Sequence, residues 1–331
     1  MRKQVTPELL KPISDKERKF KNNMLNAAFA MGPTLGWILF GSIPLAISLY
    51  LSFTELHVSQ LGSETWVGFE NFIKLISSAE DGGYRTRMGY AFIATLCCMI
   101  SAPISIILSI FIANLLCKVK WAKRFFRSVF FIPYVCSASV VVIAFRYFFD
   151  SGSGVFNSIL GHLGLQPVDW LVGSPLAFYA CVTLMSVWSG LGNNIVLCMA
   201  AISNVADSYY EAARVDGASE RRQFWQITLP AITPTLSYIL TFSIIGAFQT
   251  TGPFLLAEGV VGCPYWMEGG AQVTEGAWVT VGYYIYKMMS TNQAAYGPGI
   301  ASAAGWILGA LIFAITLINL KLQKKWVCYD F

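Results

Sequence analysis

The sequence predicts an all-α integral membrane protein with six transmembrane helices, and three observations carry that prediction. Only 12% of the 331 residues are charged while 55% are apolar, against roughly 25% charged in soluble domains, so a water-facing surface of this size could not be covered. Near-continuous apolar tracts occur at about 24–52, 90–116, 128–148, 175–202, 229–256 and 299–320. Each is long enough to cross roughly 30 Å of hydrocarbon, and each runs on where a barrel strand would alternate. Finally, 18 of the 23 Lys and Arg residues fall in four segments: before the first tract, Lys118 to Arg127, Arg214 to Arg222, and Lys321 to Lys325. An ordinary soluble enzyme is thereby excluded. The net charge of +5 is spread over apolar tracts and forms no basic domain, so no nucleic-acid partner is expected.

Residues 1–23 are polar and read as a cytoplasmic segment followed by an uncleaved first span, since no A-x-A-like site follows a short apolar core. Pro33 and Pro44 should bend that span. The basic segments alternate with poor ones, which hold only Lys74, Arg85, Arg87, Arg146 and Lys287, so both termini are placed in the cytoplasm. The membrane domain is expected over 24–322, with a short cytoplasmic segment at 323–331. The outer segments, about 53–89, 149–174 and 257–298, carry Trp66, Phe69, Phe72, Trp170, Tyr265, Trp266, Trp278 and the pair Tyr283 and Tyr284. Such rings suit interfacial anchoring or a docking face for an outer partner. Of eight cysteines only Cys263 faces outward, and His57 and His162 have no metal-ligand spacing, so neither a disulfide framework nor a metal site is expected.

The cytoplasmic loop 204–228 is too polar to enter lipid. Ser208 and Glu211 have capping-box spacing, Gly217 can close the resulting short helix in a left-handed turn, and Ser219 can cap a second one. Pro230 suits the first turn of the fifth membrane helix. On these residues alone the segment is either an interfacial connector with its arginines near headgroups, or a knob for a soluble partner. The small pair Ala212 and Ala213 would admit a close approach beside the acid Glu211.

The run Glu211-Ala212-Ala213, Gly217, Ile227 and Leu229-Pro230 resembles the EAA motif of membrane subunits in bacterial binding-protein-dependent ABC importers. Trp66-Val67-Gly68-Phe69-Glu70-Asn71-Phe72, Phe131-Ile132-Pro133-Tyr134, and Gly161-His162-Leu163-Gly164-Leu165 with Trp170-Leu171 extend the resemblance to the sugar-type branch, that of maltose, lactose and glycerol-phosphate permeases. One departure is that Gly252-Pro253 and Gly262-Cys263-Pro264 stand where the family often has Gly-Gly-Pro after a Thr. The resemblance implies the type I importer permease fold in a bacterial inner membrane, with Glu211, Ala212, Ala213, Asp216, Gly217, Ile227, Leu229 and Pro230 coupling to an ATPase. It also implies a second homologous permease subunit, two ATPase subunits that bind ATP and Mg, an extracytoplasmic solute-binding protein, and a sugar-like cargo. The chain itself carries no G-x-x-x-x-G-K-[ST] loop and no catalytic constellation, so it is expected to be a transport subunit rather than an enzyme.

Ionised groups in mid-membrane cost about 2.5–3.5 kcal/mol each on insertion scales, and the spans show essentially none. Arg146 sits near the outer end of the third span and should snorkel. Ser186, Ser189, Gly190 and Asn193 share one face of the fourth span by i, i+3, i+4 and i+7 spacing; Ser243, Ala247 and Thr250 repeat this on the fifth, with Gln249 alongside. Tyr134, after Pro133 near the inner end of its span, offers a ring for a sugar face. Such stripes suit a cavity for hydroxyls or, equally, close helix packing, and Ala301, Gly305 and Gly309 read as a packing seam. The expected cargo is a neutral sugar, oligosaccharide or polyol. The alternatives are an anionic solute such as glycerol phosphate, or an ion-coupled secondary carrier, which would place an acid, a His relay or broken-helix carbonyls at the midplane.

Overall fold

The computed structural model describes residues 15–56, 64–77, 84–119, 123–171, 173–251, 280–290 and 297–328. Among these residues four helices are long and apolar enough to cross a membrane, and six spans result if each of two bent helix pairs counts as one. The described parts of the expected tracts are therefore mainly helical, but two of them are not straight.

The first span joins α1 (Asp15–Trp37) through a single π-turn (Ile38–Ser42) to α2 (Ile43–Ser52). The irregularity expected of the prolines takes this form, because Pro44 in the first turn of α2 has no N–H for the regular ladder. A two-residue ladder follows, β1 (Thr54–Glu55) antiparallel to β2 (Thr65–Trp66), and then α3 (Glu70–Ser77). The buried Asn71 amide donates to the carbonyls of Ser52 and Thr54 at 3.0 and 2.8 Å, satisfying acceptors freed at the end of α2. Phe53 stacks on Trp66 at 5.6 Å, so the tryptophan motif of the sequence is a latch at the mouth of the first span.

Helices α4 (Tyr84–Cys98) and α5 (Ser101–Lys118) together form the second span. The third tract departs from a single helix: α6 (Lys123–Val135) and α7 (Ala138–Phe148) meet at 95°. Pro133 lies in the last turn of α6, and Ser137 is extended with ψ 138°, so the ladder ends there and restarts. The segment after it contains α8 (Val155–His162). The buried Asn157 amide gathers this loop by donating to Ser151 O and Val168 O and accepting from Val168 N and Trp170 Nε1, each at 2.9–3.0 Å.

The fourth span, α9 (Pro175–Ser203), is one uninterrupted helix of 29 residues, started by Ser174 Oγ accepting from the Ala177 N–H and by Pro175 in the first turn. Two short helices, α10 (Asp207–Val215) and α11 (Glu220–Gln223), precede a π-turn (Phe224–Thr228), α12 (Leu229–Ala231) and α13 (Thr233–Gln249). The chain bends by 62° between Ala231 and Thr233. Pro230 therefore lies before the elbow, and Pro234, not Pro230, occupies the first turn of the fifth membrane helix.

Within the expected outer segment 257–298, α14 (Val281–Ser290) is a helix, and α15 (Pro298–Gln323) is the sixth span. Tyr283 and Tyr284 are 2% and 3% exposed, packed in the core with Phe248 and the start of α15, so they neither anchor at an interface nor offer a docking face. In α15 Ala301 is buried, but a Cβ on Gly305 or Gly309 would meet nothing within 4 Å, so those glycines form no packing seam within this chain. Residues Tyr265, Trp266, Trp278, Cys263, His57 and the Gly-Pro pairs after the fifth span lie outside the described residues.

The buried apolar residues form two clusters. One joins α4, α7, α9, α14 and α15 around Phe178, Val182, Met185 and Phe248; the other joins α5, α9, α13 and the segment before the elbow around Ile195, Cys198, Phe224 and Ile232. On α9 the buried members of the first cluster end at Met185 and those of the second begin at Ile195. The polar residues of the fourth span lie between them.

Candidate functional site: a coupling segment and a mid-membrane cavity

Helix α10 begins at Asp207 with Ala206 as its N-cap and no side-chain cap bond. Ser208 lies inside the first turn, so the expected capping box does not form; the Asp207 carboxylate near the helix start takes over the favourable interaction with the free amides. The end is as expected. Gly217 has φ +74°, Ala218 N–H donates to Ala213 O at 2.8 Å and Gly217 N–H to Arg214 O at 3.1 Å, a left-handed closure that needs glycine. Ser219 then caps α11 by accepting from Arg222 N–H at 3.4 Å.

Glu211, Ala212, Asp216 and Gly217 are exposed and Ala213 is half-buried, while Val215 stands 89% exposed at the tip. Ile227, Leu229 and Pro230 are half-buried in the π-turn and α12. The run read as one motif thus has an outward half at 211–217 and an inward half at 227–230. Behind α10 opens a cavity of about 970 Å³ lined by Asn114, Lys118, Asp207, Tyr210, Arg214, Glu220 and Thr228, among others. Side-chain ties toward the membrane helices include the Tyr210 and Thr228 hydroxyls at 2.9 Å, and Lys118 Nζ to Glu220 Oε2 at 2.6 Å. The Lys118 ammonium, by its hydrogen bond and then its charge, holds the Glu220 carboxyl below the ordinary range. Both groups face water, so the pair is weak.

The second feature is a cavity of about 440 Å³ lined by Pro133, Tyr134, Cys136, Ala138, Val141, Val142, Met185, Ser186, Ser189, Gly190 and Thr250. It lies at the break between α6 and α7, against Val141, Val142 and Met185 of the first apolar cluster. Tyr134 lies at the broken end of α6 rather than near the inner end of a straight span, with its ring 5.3 Å from that of Phe131. Ser186, Ser189, Gly190, Thr250 and Tyr134 are therefore brought together as read. Asn193, Ser243 and Gln249 are not among the lining residues; Gln249 ends α13 and is exposed, and the other two are half-buried.

Two residues that the sequence reading passed over matter here. Asn194 is buried and donates to Ser105 Oγ across the α5–α9 contact at 3.1 Å. Its spacing from Gly190, one helical turn, was the available signal. A Cβ on Gly192 would lie 2.4 Å from Phe130 O, whereas one on Gly190 would lie an ordinary 3.6 Å from Ser105 Oγ. Gly192 is the residue that lets α6 reach α9. Arg146 lines a separate cavity of about 410 Å³ with Asp150, Asp169 and Trp170, so it turns toward the polar segment that follows α7. There the backbone N–H of Ser153, and secondarily its hydroxyl and the Gly152 amide, hold the Asp150 carboxyl low.

A helical membrane domain with an exposed polar loop between its fourth and fifth spans, and a cavity whose described lining carries no ionised group, is an arrangement suited to a transport subunit. Residues 105–326 match the family described as the binding-protein-dependent transport system inner membrane component, and the chain belongs to that family. Its relatives include the probable ABC transporter permease protein YesP of Bacillus subtilis, 29% identical over 94% of each chain. The arabinooligosaccharides transport system permease protein AraP of the same organism is 31% identical over 87% of this chain and 85% of its own. The sn-glycerol-3-phosphate transport system permease protein UgpA of Pectobacterium atrosepticum is 26% identical over 94% and 98%. Among solved structures, a bacterial ABC transporter for import of the acidic polysaccharide alginate has the same fold, with TM-score 0.74 at 22% identity over 93% of this chain and 98% of that one. A second alginate transporter structure, in complex with a periplasmic protein carrying an alginate pentasaccharide, gives TM-score 0.73 at 23% identity over 93% and 96%. The chain is thus a multi-pass ABC importer permease with the type I fold, a transport subunit and not an enzyme.

Proposed function

We propose that this chain forms half of the translocation pathway for a neutral sugar, oligosaccharide or polyol, and that Glu211 to Gly217 couple it to a cytoplasmic ATPase. The observation that carries the reading is the cavity at the break of the third span: its described lining offers three aliphatic hydroxyls, the ring and phenol of Tyr134 and apolar walls, and no ionised group. Hydroxyl-rich cargo can exchange water for Ser186, Ser189 and Thr250 and lay an apolar ring face on Tyr134, with no charge left uncompensated. The name of the AraP relative points the same way.

The outward residues of α10 are the contact surface for the motor. Val215 and the small Ala212 enter a groove, and Glu211 meets a basic residue there. Both termini lie in the cytoplasm, and ATP with Mg is bound by two partner ATPase subunits. A second homologous permease subunit completes the pathway, and an extracytoplasmic binding protein delivers cargo. The UgpA relative favours a second reading, an anionic solute; the positive charge would then come from the other permease subunit. The test is uptake into vesicles holding the complete complex. ATP-driven accumulation of a neutral glycan, lost when Glu211 is replaced, supports the proposal. Accumulation under a proton or sodium gradient alone, with no ATPase accompanying the chain, overturns it.

A further inference from the structure

We infer that the Tyr210–Thr228 hydroxyl pair is the positioning contact through which displacement of α10 reaches the fifth membrane helix. This rests on the coupling role proposed above. Helix α10 has no buried residue, and the cavity of about 970 Å³ behind it separates it from the ends of α5 and α9. A gap of that size leaves α10 without close packing on those helix ends, since dispersion contacts fall away within an ångström of separation. Apart from the chain itself, motion of α10 must travel through side chains that cross that gap.

Tyr210 is half-buried and faces away from the exposed Glu211 and Ala212, and its hydroxyl lies 2.9 Å from Thr228 Oγ1. Thr228 is 3% exposed, closes the π-turn, and stands four residues before the 62° elbow. The adjoining Phe224 and Ile232 are anchored in the inner apolar cluster with Ile195 and Cys198 of α9. A pull on Thr228 therefore acts on the short arm of a bent lever whose long arm, α13, ends at Thr250 on the cavity wall. The Lys118–Glu220 tie leads elsewhere, to α5, and is exposed to water.

The experiment uses the complete complex with its ATPase in lipid vesicles and follows alkylation of Cys136, an exposed thiol lining the cavity, by N-ethylmaleimide, with the modified peptide quantified by mass spectrometry. In the unaltered complex ATP should change the Cys136 alkylation rate. Thr228→Val, isosteric and too buried to touch a partner, should shrink that ATP-dependent change by roughly fivefold, about the worth of one neutral hydrogen bond, while the ATPase still copurifies. Thr228→Ser should restore it, and Tyr210→Phe combined with Thr228→Val should be no worse than either alone. A full ATP response in Thr228→Val, or losses that multiply in the double variant, overturns the pair. If the unaltered complex shows no ATP response, the coupling reading fails first and takes the inference with it.

Discussion

The exposed loop around α10 and the cavity at the break of the third span were built by different means. The first is a local object: its start, turn and exposed face are set within about twenty residues, and the left-handed Gly217 is as visible in the sequence as in the structure. The second has walls from α6, α7, α9 and the end of α13, which lie far apart in the chain. Local motifs report local structure well, whereas a cavity depends on where a helix breaks and which small residue allows two helices to touch.

The sharpest way to break this contrast lies at Glu211. Glu211→Gln should lower ATP-driven uptake by at least roughly tenfold while membrane insertion and thermal stability stay unchanged, as expected for a charge lost from an interface. A normal uptake rate would remove the segment from coupling. Next come two glycines of α9, Gly190 on the cavity wall and Gly192 against α6. Gly192→Ala should destabilise the protein by about 1–3 kcal/mol, because the new methyl collides with the Phe130 carbonyl, and Gly190→Ala should be tolerated. Midpoints of heat-induced aggregation in detergent would measure both, and equal midpoints would refute the backbone contact.

Gly217→Ala should cost about 1–2 kcal/mol, the strain of a left-handed residue with a Cβ. Gly217→Asn should cost less, since asparagine tolerates that conformation; a reversed order would contradict the turn. Within the cavity, Ser186→Ala should weaken uptake of a neutral glycan several-fold, as one hydrogen bond is lost. Gln249→Ala should leave it unchanged, the opposite of what the stripe on the fifth span suggested. The smallest effect belongs to Lys118–Glu220. The Glu220 carboxyl is held below its ordinary value near 4.5, so its contribution is complete above that pH and is lost as pH falls through the lower folded value. Stability profiles of the parent and Glu220→Gln should differ slightly at neutral pH and converge in acid, and salt should narrow the gap.

The same distinction explains which expectations needed correction. Pro133 was legible, but a proline near a span end is compatible with a mild kink or a 95° break, and only the contact of α6 with Gly192 of α9 decides between them. Tyr283 and Tyr284 read as interfacial because aromatic residues in an outer segment usually are. Helix α14 instead folds back against α15 and buries them. Asn193 and Asn194 are neighbours with identical chemistry, and a rotation of 100° along the helix separates the half-buried one from the one bonded to Ser105. The one-turn spacing from Gly190 hints at Asn194, and the α5–α9 contact assigns its partner.

By itself the sequence determined that lipid is the solvent, how many apolar segments the chain has, and where the polar loop after the fourth span interrupts them. Those follow from composition, run length and short-range backbone preferences, which act along the chain. The tertiary structure alone decided that the third span breaks, that the fifth turns through an elbow, and that Ser186, Ser189, Gly190, Thr250 and Tyr134 face one space. These depend on close approach between distant segments, and distances between helices are not written in the order of residues along one of them.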